Sequence, residues 1–592
     1  MKNKIVLGGL MISLLLSCND NEFLREDPKT FYTLDNVFTT PAQVEQSIVS
    51  LYYYERYLEN FIGGSIRNAG LFWKGDGSDV LERVYSSMGS SMDNYVAFNP
   101  QNSTISSLWD YFYMIISKAN LVIYAANLPQ ISWSSDAEKK YAIAQGRFFK
   151  AWAYSNLVEL WGGVPVVTEY LDAPKLDFKR ETAVATYQYA IDELLAIEND
   201  LPITVAEGGK IVKGVAHHFL CELYLGLGIQ LEEDGNAAEA QTAYANSISY
   251  GNKVIDGGVY SLMTSRFGTR KNESVVTIDV YKKGVFKTSE KVDTIRLIPN
   301  HYWDLFQEGN QNYQEGNKEC IWAIQVDYGA FTAEDKQSVL AYARYYGPDM
   351  ASGTNNIHII SMLEEIAGRG IATNLPTSYW RDIIWEGKWR TDIRNSESVI
   401  RRRFKANVPT SPYYLQVVPW SVLYNYESAI WQRNVGYCYP VSCKIATDKF
   451  TGVADGQNRS NLFRDDYIVR LPETILLRAE AKQRKGDKAG AAADVNLLRN
   501  RANCSYLVTA ADMDDDFNLI LDERCRELMY EEQRWNTLLR MRETIAVDRI
   551  KKYMMWDENR ATLTRTFNML PIPQSVIDAN YGNKIEQNPG WD

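Results

Sequence analysis

Two pairs of adjacent carboxylates, Asp465-Asp466 and Glu531-Glu532, are the first candidates for chemistry in this chain of 592 residues. Hydrolysis of a glycosidic bond requires two carboxyl groups a few ångströms apart, so either pair has the residue types of a glycosidase. The second pair has charged neighbours in sequence: Glu523, Arg524, Arg526, Glu527 and Arg534. Opposite charges three or four residues apart pair along a helix. The sequence therefore favours structural ion pairs over a catalytic role.

Other catalytic and cofactor motifs are absent from the sequence. It has four histidines and no HExxH pair, no GxSxG, no phosphate-binding loop and no GxGxxG after a strand. Asp76, Ser78, Asp79 and Glu82 offer oxygen atoms to a cation, but their spacing falls short of a calcium loop and favours a solvated turn. We expect no catalytic residue, no metal and no cofactor. A surface glycosidase is the least favoured hypothesis.

Helices dominate the framework expected to position these residues. Apolar residues recur at helical spacing from Leu108 to Ala126, and Asp136 is placed to cap a second helix that ends at Gly162-Gly163. Further helices are predicted near residues 182–199, 215–230 and 237–255. A last helix is predicted over 517–542, where one stripe of residues advances in alternating steps of four and three.

The region from 260 to 465 differs from the helical parts on either side. It is rich in Gly, Asn, Tyr and Trp, and residues 275–278 and 320–324 have the composition of strands. After residue 466 the pattern is helical again, with a tight turn at Gly486. That turn, and a looser copy over 220–243, match the tetratricopeptide pattern of paired helices. The predicted fold is mostly α: an irregular helical bundle with tetratricopeptide-like helix pairs and a loop-rich region with short strands.

The composition limits the range of partners. The net charge is −11, which argues against nucleic acid and against an electrostatic hold on anionic lipid. Aromatic residues make up 12% of the chain, with 38 Tyr and 15 Trp. So many rings suit a protein that binds flat apolar faces, although a large core also uses them.

The N-terminus has the pattern of a lipoprotein signal. Lys2 and Lys4 precede an apolar run that ends in Leu15-Leu16-Ser17-Cys18. The run is shorter than the ~20 residues that span a bilayer, and no later stretch reaches that length. Leu-Leu-Ser-Cys is similar to the bacterial lipobox, in which the cysteine is acylated and becomes the first residue. Cys18 is therefore the predicted membrane anchor.

Two other cysteines lie close together in sequence. Cys438 and Cys443 flank Pro440, and a disulfide between them in an oxidising envelope is left open. No CxxC pair occurs, so the sequence does not indicate a zinc cluster or a redox motif.

Short motifs follow one another along nearly the whole mature chain. The first set is Phe23-Leu24, Asp27-Pro28, Leu34-Asp35-Asn36-Val37-Phe38 and Thr40-Pro41-Ala42. The second set is Trp109, Ala119-Asn120, Arg147-Phe148, Ala151-Trp152-Ala153-Tyr154 and Gly162-Gly163-Val164-Pro165. The third set is Glu523-Arg524, Arg526-Glu527-Leu528, Glu531, Arg534-Trp535, Leu570-Pro571-Ile572-Pro573-Gln574 and Gln587-Asn588-Pro589-Gly590-Trp591. In this order the motifs resemble the SusD/RagB family of surface glycan-binding lipoproteins, whose usual final Gly-Tyr is Gly-Trp here.

The resemblance implies a non-catalytic binding function on a frame of tetratricopeptide-like helices. Such a protein captures an oligosaccharide and passes it to a SusC-like TonB-dependent outer-membrane transporter, for which it acts as a lid. The implied location is the outer membrane, facing the cell exterior, with the lipid on Cys18 as the sole anchor. The alternative is a peptide- or protein-binding nutrient-uptake lipoprotein, because the fold does not fix the ligand.

The resemblance and the change in composition divide the chain into four parts. They are the signal peptide (1–17), an N-terminal SusD-like helical region (18–259), a loop-rich ligand-binding region (260–465) and a C-terminal helical region (466–592). The family's ligand platform implies these site residues: Trp73, Asp79, Asn94, Tyr95, Tyr302, Trp303, Trp322 and Tyr328. Trp73 and Tyr95 lie in stretches that usually keep side chains near solvent. Trp303 and Trp322 adjoin apolar residues and are also candidates for the core.

Replacement of Cys18 by alanine is expected to release folded protein from the membrane fraction, because the lipid is the predicted anchor. Cell fractionation with high-salt washing measures the release, in cells that lack the transporter partner. If the alanine variant stays membrane-bound there, the anchor assignment is wrong.

Overall fold

The fold is described from a computed structural model of the chain. It describes residues 37–60, 64–83, 92, 94–281, 290–333, 338–348, 370–419, 439–449, 451 and 461–591. The signal peptide, the lipobox with Cys18, and Cys438 lie outside the described residues. The anchor assignment and the disulfide question therefore remain as the sequence left them.

Helices are the main regular elements and make up about half of the described structure. The first nine are α1 (Pro41–Glu59), α2 (Gly64–Trp73), α3 (Ser103–Ala126), α4 (Asp136–Trp161), α5 (Ala183–Leu195), α6 (Lys213–Glu233), α7 (Ala237–Ile255), α8 (His301–Asp304) and α9 (Tyr328–Ala333). The others are α10 (Tyr342–Tyr346), α11 (Ser378–Arg381), α12 (Leu471–Arg484), α13 (Lys488–Arg501), α14 (Asn518–Leu528), α15 (Arg534–Arg540), α16 (Ile545–Tyr553), α17 (Asp557–Thr562) and α18 (Gln574–Ala579). Within the described ranges, none of them is both long and apolar enough to cross a bilayer.

The described strands are short and pair two by two in antiparallel fashion. They are β1 (Leu81–Arg83), β2 (Val276–Tyr281), β3 (Lys291–Leu297), β4 (Cys320–Ile324), β5 (Asn374–Pro376), β6 (Ile400–Arg401), β7 (Val441–Ser442) and β8 (Asp466–Arg470). The pairs are β1 with β5, β2 with β3, β4 with β8, and β6 with β7. The predicted mostly α fold with short strands is confirmed. Since β4 pairs with β8, the loop-rich region and the C-terminal region share a sheet.

Two helix hairpins account for the tetratricopeptide-like pattern. Helices α6 and α7 are joined around Gly235, and α12 and α13 are joined around Gly486. These glycines have φ of +83° and +90°, a conformation that side chains with a Cβ disfavour. Arg478 of α12 donates to Asp494 of α13 at 2.7 Å and to Asn252 of α7 at 2.9 Å. The guanidinium thereby links the two hairpins side by side.

Helix α4 runs through the middle of the core, and its ends follow local rules. Ser135, rather than the predicted Asp136, is the N-cap: its hydroxyl accepts the N–H of Glu138 at 3.1 Å. The predicted stop at Gly162 is confirmed, and that glycine has φ of +73°. All residues from Phe148 to Trp161 are buried.

The predicted helix over 517–542 is wrong in its middle. The structure has α14 and α15, separated by residues 529–533, and Tyr530 has a φ of +68°. Glu531 and Glu532 in this break bind cations from different parts of the chain, Lys444 and Arg470 in one case and Arg524 and Arg534 in the other. A continuous helix would carry these two side chains on successive helical positions, so the ion pairs stabilise the break.

Candidate functional site

The predicted site residues separate into a buried group and a surface group. Trp73, Asp79, Tyr95, Tyr302, Trp303 and Trp322 are each at most 5% exposed. Asn94 is exposed and Tyr328 is half-buried. The predicted residues therefore do not form one surface platform.

Trp73 is the last residue of α2, and its expected position near solvent is wrong. Its indole Nε1 donates to Asn156 Oδ1 at 3.0 Å. The rings of Phe112 and Trp152 meet it edge to face, each with a centroid distance of 6.1 Å. Helix α2 extends as far as Trp73, and the polar stretch begins only at Lys74. The Trp73 side chain therefore packs in the core, and its ring has no free face for a sugar.

Tyr95 is also buried, so the expectation that it lies near solvent is wrong as well. Its hydroxyl donates to the carbonyl of Gly77, its N–H donates to Thr562 Oγ1 at 2.8 Å, and its ring packs on Phe98. Residues distant in sequence fill the space around this ring. The neighbouring Asn94 keeps its amide at the surface, where Oδ1 accepts the N–H of Val96.

The three aromatic residues predicted in the loop-rich region before Tyr328 belong to the core. Tyr302 donates its hydroxyl to the carbonyl of Glu527 at 2.9 Å. Trp303 lies beneath the guanidinium of Arg270, 4.5 Å from the ring centroid. Trp322 donates its Nε1 to the carbonyl of Gly209 at 3.0 Å. For Trp303 and Trp322 the structure selects the core placement that the sequence left open.

Asp79 is buried between two arginines of the C-terminal region. Arg534 binds both of its oxygens at 2.8 and 2.6 Å, and Arg549 binds Oδ2 at 2.8 Å. Burial by itself raises the pKa of this carboxyl, but the two guanidinium groups outweigh it and lower the pKa to about 2. Asp79 is therefore an ionised structural group that connects the turn before β1 to α15 and α16.

The candidate carboxylate pairs are turned into the interior. Glu531 and Glu532 are ion-paired as described above, and each is at most 5% exposed. Asp465 accepts the N–H of Val326 and the amide of Asn312, both at 2.7 Å. Burial raises the pKa of Asp465 and of Asp466 to about 6. These four carboxyl groups are bound within the protein, so neither candidate pair is an exposed pair of the kind that glycoside hydrolysis requires.

The segment from Asp76 to Glu82, whose side-chain oxygens were candidates for a cation site, has a structural role. Asp76 accepts from Arg83 at 2.7 Å, and Glu82 accepts the N–H of Met555 at 2.7 Å. The segment is buried rather than a solvated turn, because its carboxylates are bound by arginine and backbone groups from other elements. In the described part of the chain, no group of three or more His, Cys, Asp or Glu residues is arranged to hold a metal ion.

A cluster of tyrosines on α1 lies at the surface and is joined by a hydrogen bond to the segment that precedes Tyr328; the cluster is not among the site residues predicted from the sequence. Tyr53 and Tyr57 are half-buried and stack on each other, with centroids 5.7 Å apart. Arg56 lies over the Tyr53 ring and donates to the carbonyl of Gln325 at 3.2 Å, three residues before Tyr328. We call these residues the tyrosine face: Tyr53, Arg56, Tyr57, Gln325 and Tyr328.

The tyrosine face extends toward α10. The N–H of Ala341 donates to the carbonyl of Asn60 at the end of α1. Tyr345 lies one helical turn after Ala341, and Arg67 and Arg344 lie 5.7 and 6.0 Å from its ring centroid. A signal for the face was present in the run Tyr-Tyr-Tyr-Glu-Arg-Tyr over 52–57, since residues four apart share one side of a helix.

Comparison with known proteins identifies the family. The model of the SusD family matches residues 235–591, and a second model, described as starch-binding and associating with the outer membrane, matches residues 34–225. Together they cover the described helical regions at both ends of the chain. The chain belongs to the SusD family of glycan-binding proteins.

Individual relatives are distant in sequence but similar over their full length. SusD-like protein P2 of Formosa agariphila is 24% identical over 607 residues, covering 100% of each chain. A SusD homolog from Bacteroides thetaiotaomicron has a TM-score of 0.67 at 15% identity and covers 94% of this chain and 98% of its own. Surface glycan-binding protein A from the same organism, solved with laminarihexaose, has a TM-score of 0.59 at 17% identity, covering 93% and 100%. The solved structures show that the fold is shared.

Replacement of Asp79 by asparagine is expected to lower the free energy of unfolding by about 3–5 kcal/mol, because Arg534 and Arg549 keep their buried charges without a carboxylate. The pKa of Asp79 falls from 3.8 to about 2 on folding. The ionised Asp79 carboxylate thus contributes about 2 kcal/mol to the free energy of unfolding. This contribution is complete above pH 3.8 and is lost as the pH falls towards 2. Urea unfolding followed by circular dichroism between pH 7 and pH 2 measures both effects.

The matched control is Asp172→Asn, which removes an exposed carboxylate and is expected to change stability by less than about 0.5 kcal/mol. Equal stability of the two variants at pH 7 would contradict the role assigned to Asp79. So would an acid-induced loss of stability in the Asp79 variant as large as that of the wild type.

Proposed function

We propose that this protein captures an oligosaccharide at the outer cell surface and delivers it to a SusC-like TonB-dependent transporter in the outer membrane. The observation that carries the proposal is membership of the SusD family along both helical regions of the chain. A structural neighbour with the same fold was solved with laminarihexaose, which supports a glucan as the first ligand to test. A lipid on Cys18 would keep the protein beside the transporter.

The tyrosine face is the proposed contact surface for the sugar. Sugar rings present C–H faces that pack on aromatic rings, while their hydroxyl groups need polar partners. Tyr53, Tyr57 and Tyr328 supply half-buried rings at the surface, and Arg56, which lies over the Tyr53 ring and binds the backbone carbonyl of Gln325, supplies a polar group beside them. Of the eight residues implied by the resemblance, Tyr328 is the aromatic one that reaches the surface, which favours this face as the position of the platform.

Binding without hydrolysis is the proposed mode of action. The candidate carboxylates at 465, 466, 531 and 532 are occupied by internal hydrogen bonds and ion pairs. The groups on the tyrosine face are phenols, a guanidinium and a backbone carbonyl, which bind hydroxyl groups but do not form the acid and base pair of a glycosidase.

A peptide or protein ligand is the second candidate. Arg67 and Arg344 flank Tyr345 next to the tyrosine face, and a guanidinium recognises a carboxylate in a bidentate manner. An acidic peptide would use these arginines, whereas a neutral glucan would not. A binding screen that includes both glycans and acidic peptides separates the two.

Replacement of Tyr57 or Tyr328 by alanine is expected to weaken glycan binding about 5- to 150-fold, because each removes one stacking ring worth roughly 1–3 kcal/mol by analogy with bases on aromatic rings. Calorimetry measures the affinity for the glycan that a screen identifies, with laminarihexaose among the probes. Thermal unfolding is measured alongside, since the Tyr328 ring also contacts Phe463 at 4.9 Å.

Tyr581→Ala is the control for this experiment. Tyr581 is 81% exposed and lies outside the tyrosine face, so its removal is expected to leave binding unchanged. If the Tyr57 and Tyr328 variants fold and bind like the wild type, the glycan site is elsewhere. If no glycan in the screen binds the wild type while an acidic peptide does, the second candidate replaces the first.

Purification of the native protein in mild detergent is expected to bring a β-barrel transporter with it. The reason is that a capturing protein must stay beside the channel that receives its ligand. Size-exclusion chromatography and mass spectrometry of the eluate measure the complex. Recovery of a lone monomer from a native host that expresses the transporter would refute delivery in this form.

A further inference from the structure

A cleft of about 380 Å³ lies between α3 and the C-terminal segment. Trp109 and Tyr113 of α3 form one wall of the cleft. The second wall is formed by Pro165, Val167, Lys175, Leu176 and Phe178, and the third by Ser575, Val576, Ala579, Asn580 and Ile585. This volume is within the range of small-molecule sites, roughly 300–1,000 Å³. We call it the α3 cleft.

The α3 cleft and the tyrosine face lie on opposite sides of α3. Tyr111 of α3 donates its hydroxyl to the carbonyl of Tyr54 on α1, so that side of α3 faces the tyrosine helix. Trp109 and Tyr113 are each two residues from Tyr111, about 200° around a helix with 3.6 residues per turn. A ligand in the cleft therefore does not contact the proposed glycan surface.

The walls of the α3 cleft are fastened to one another. Asn580 exchanges two hydrogen bonds with the backbone of Phe178, both at 2.8 Å. The N–H of Gly582 donates to the carbonyl of Leu176 at 2.8 Å, and Tyr113 donates to the carbonyl of Pro165 at 2.7 Å. Because these bonds join all three walls, the cleft is preformed and a ligand pays little ordering entropy.

The lining of the α3 cleft is mostly apolar and favours a ligand other than a sugar. Its interior is formed by rings and aliphatic groups, including Trp109, Val167, Phe178, Val576 and Ile585. The amide of Asn580 is already engaged by Phe178. A sugar ring placed here would lose water from several hydroxyl groups without receiving enough partners.

Two lining residues with opposite charges supply the polar contacts of the α3 cleft. Asp110 and Lys175 both line it, and both side chains are at the surface. Among the described residues neither forms an ion pair; Lys175 lies over the ring of Phe178, 5.3 Å from its centroid. A carboxylate and an ammonium beside an apolar cavity are complementary to a molecule that carries both charges and an apolar body.

We propose that the α3 cleft binds a small zwitterion with an apolar body, of the class of α-amino acids with aromatic or branched side chains. The ligand's ammonium pairs with Asp110, its carboxylate pairs with Lys175, and its side chain occupies the space between Trp109, Phe178 and Val576. This site is independent of the proposed glycan function.

Calorimetry with L-phenylalanine, phenethylamine and 3-phenylpropanoate tests the contribution of each charged group of the ligand. The three compounds share a phenyl ring, but phenethylamine lacks the carboxylate and 3-phenylpropanoate lacks the ammonium. L-Phenylalanine is expected to bind at least about tenfold more tightly than either analogue, because each analogue lacks one charged hydrogen bond. Asp110→Asn is expected to weaken L-phenylalanine and phenethylamine but not 3-phenylpropanoate. Lys175→Met is expected to weaken L-phenylalanine and 3-phenylpropanoate but not phenethylamine.

Ala579→Trp fills the cleft from an exposed position and is expected to abolish binding of all three compounds. Asp172→Asn and Lys179→Met change exposed residues outside the lining of the cleft, so these controls are expected to leave binding unchanged. Three outcomes would each overturn the proposal. They are an absence of L-phenylalanine and L-leucine binding at millimolar concentrations, equal affinity for the three compounds, or wild-type affinity in the folded Ala579 variant. Glycan binding measured on the same variants shows separately whether the proposed function holds.

Discussion

Buried ion pairs around α14 are the constraint on which the rest of the structure depends. Glu527 binds Arg394, Arg470 and Arg501, and Arg470 continues to Glu319 and Glu531. Burial by itself raises the pKa of Glu527, but these cations outweigh it and lower the pKa well below its usual range. Removing one member of such a network leaves an unpaired buried charge, which costs several kcal/mol. The network is therefore stable only when all of its segments are in place.

The chain positions of these charges explain how the loop-rich region obtains a fixed structure. Arg394 comes from a stretch with one-turn helices, Glu319 from just before β4, and Arg470 from the end of β8. Few regular elements hold the segment from 260 to 465 together, and long ordered loops lose much conformational entropy. Charged contacts to α13, α14 and the following break fix these loops to the helical frame, with Asp79 making the equivalent contact for the turn before β1.

The same design separates structural groups from binding groups. Most of the aromatic residues that invite a ligand-binding role are core residues, because large rings supply much of the apolar area that a frame of this size must bury. Of the carboxylates that invite a catalytic role, Glu531 and Glu532 are counter-ions of buried arginines, and Asp465 is bound by a backbone N–H and an amide. The surfaces proposed for recognition are of another kind: the half-buried tyrosines of α1 with Arg56, and the preformed cleft on the opposite side of α3.

The sequence by itself determined the helical class, the hairpin turn at Gly486, the stop at Gly162 and the family, because periodicity, capping and ordered motifs are local properties that a single chain displays. It did not determine the break between α14 and α15 or the burial of Trp73, Asp79 and Tyr95. Those features depend on partners that are distant in sequence, such as Arg470 for Glu531, Asn156 for Trp73 and Thr562 for Tyr95. A polar, glycine-rich stretch has the same composition whether or not remote side chains close over it, so only the tertiary structure decided which rings reach solvent.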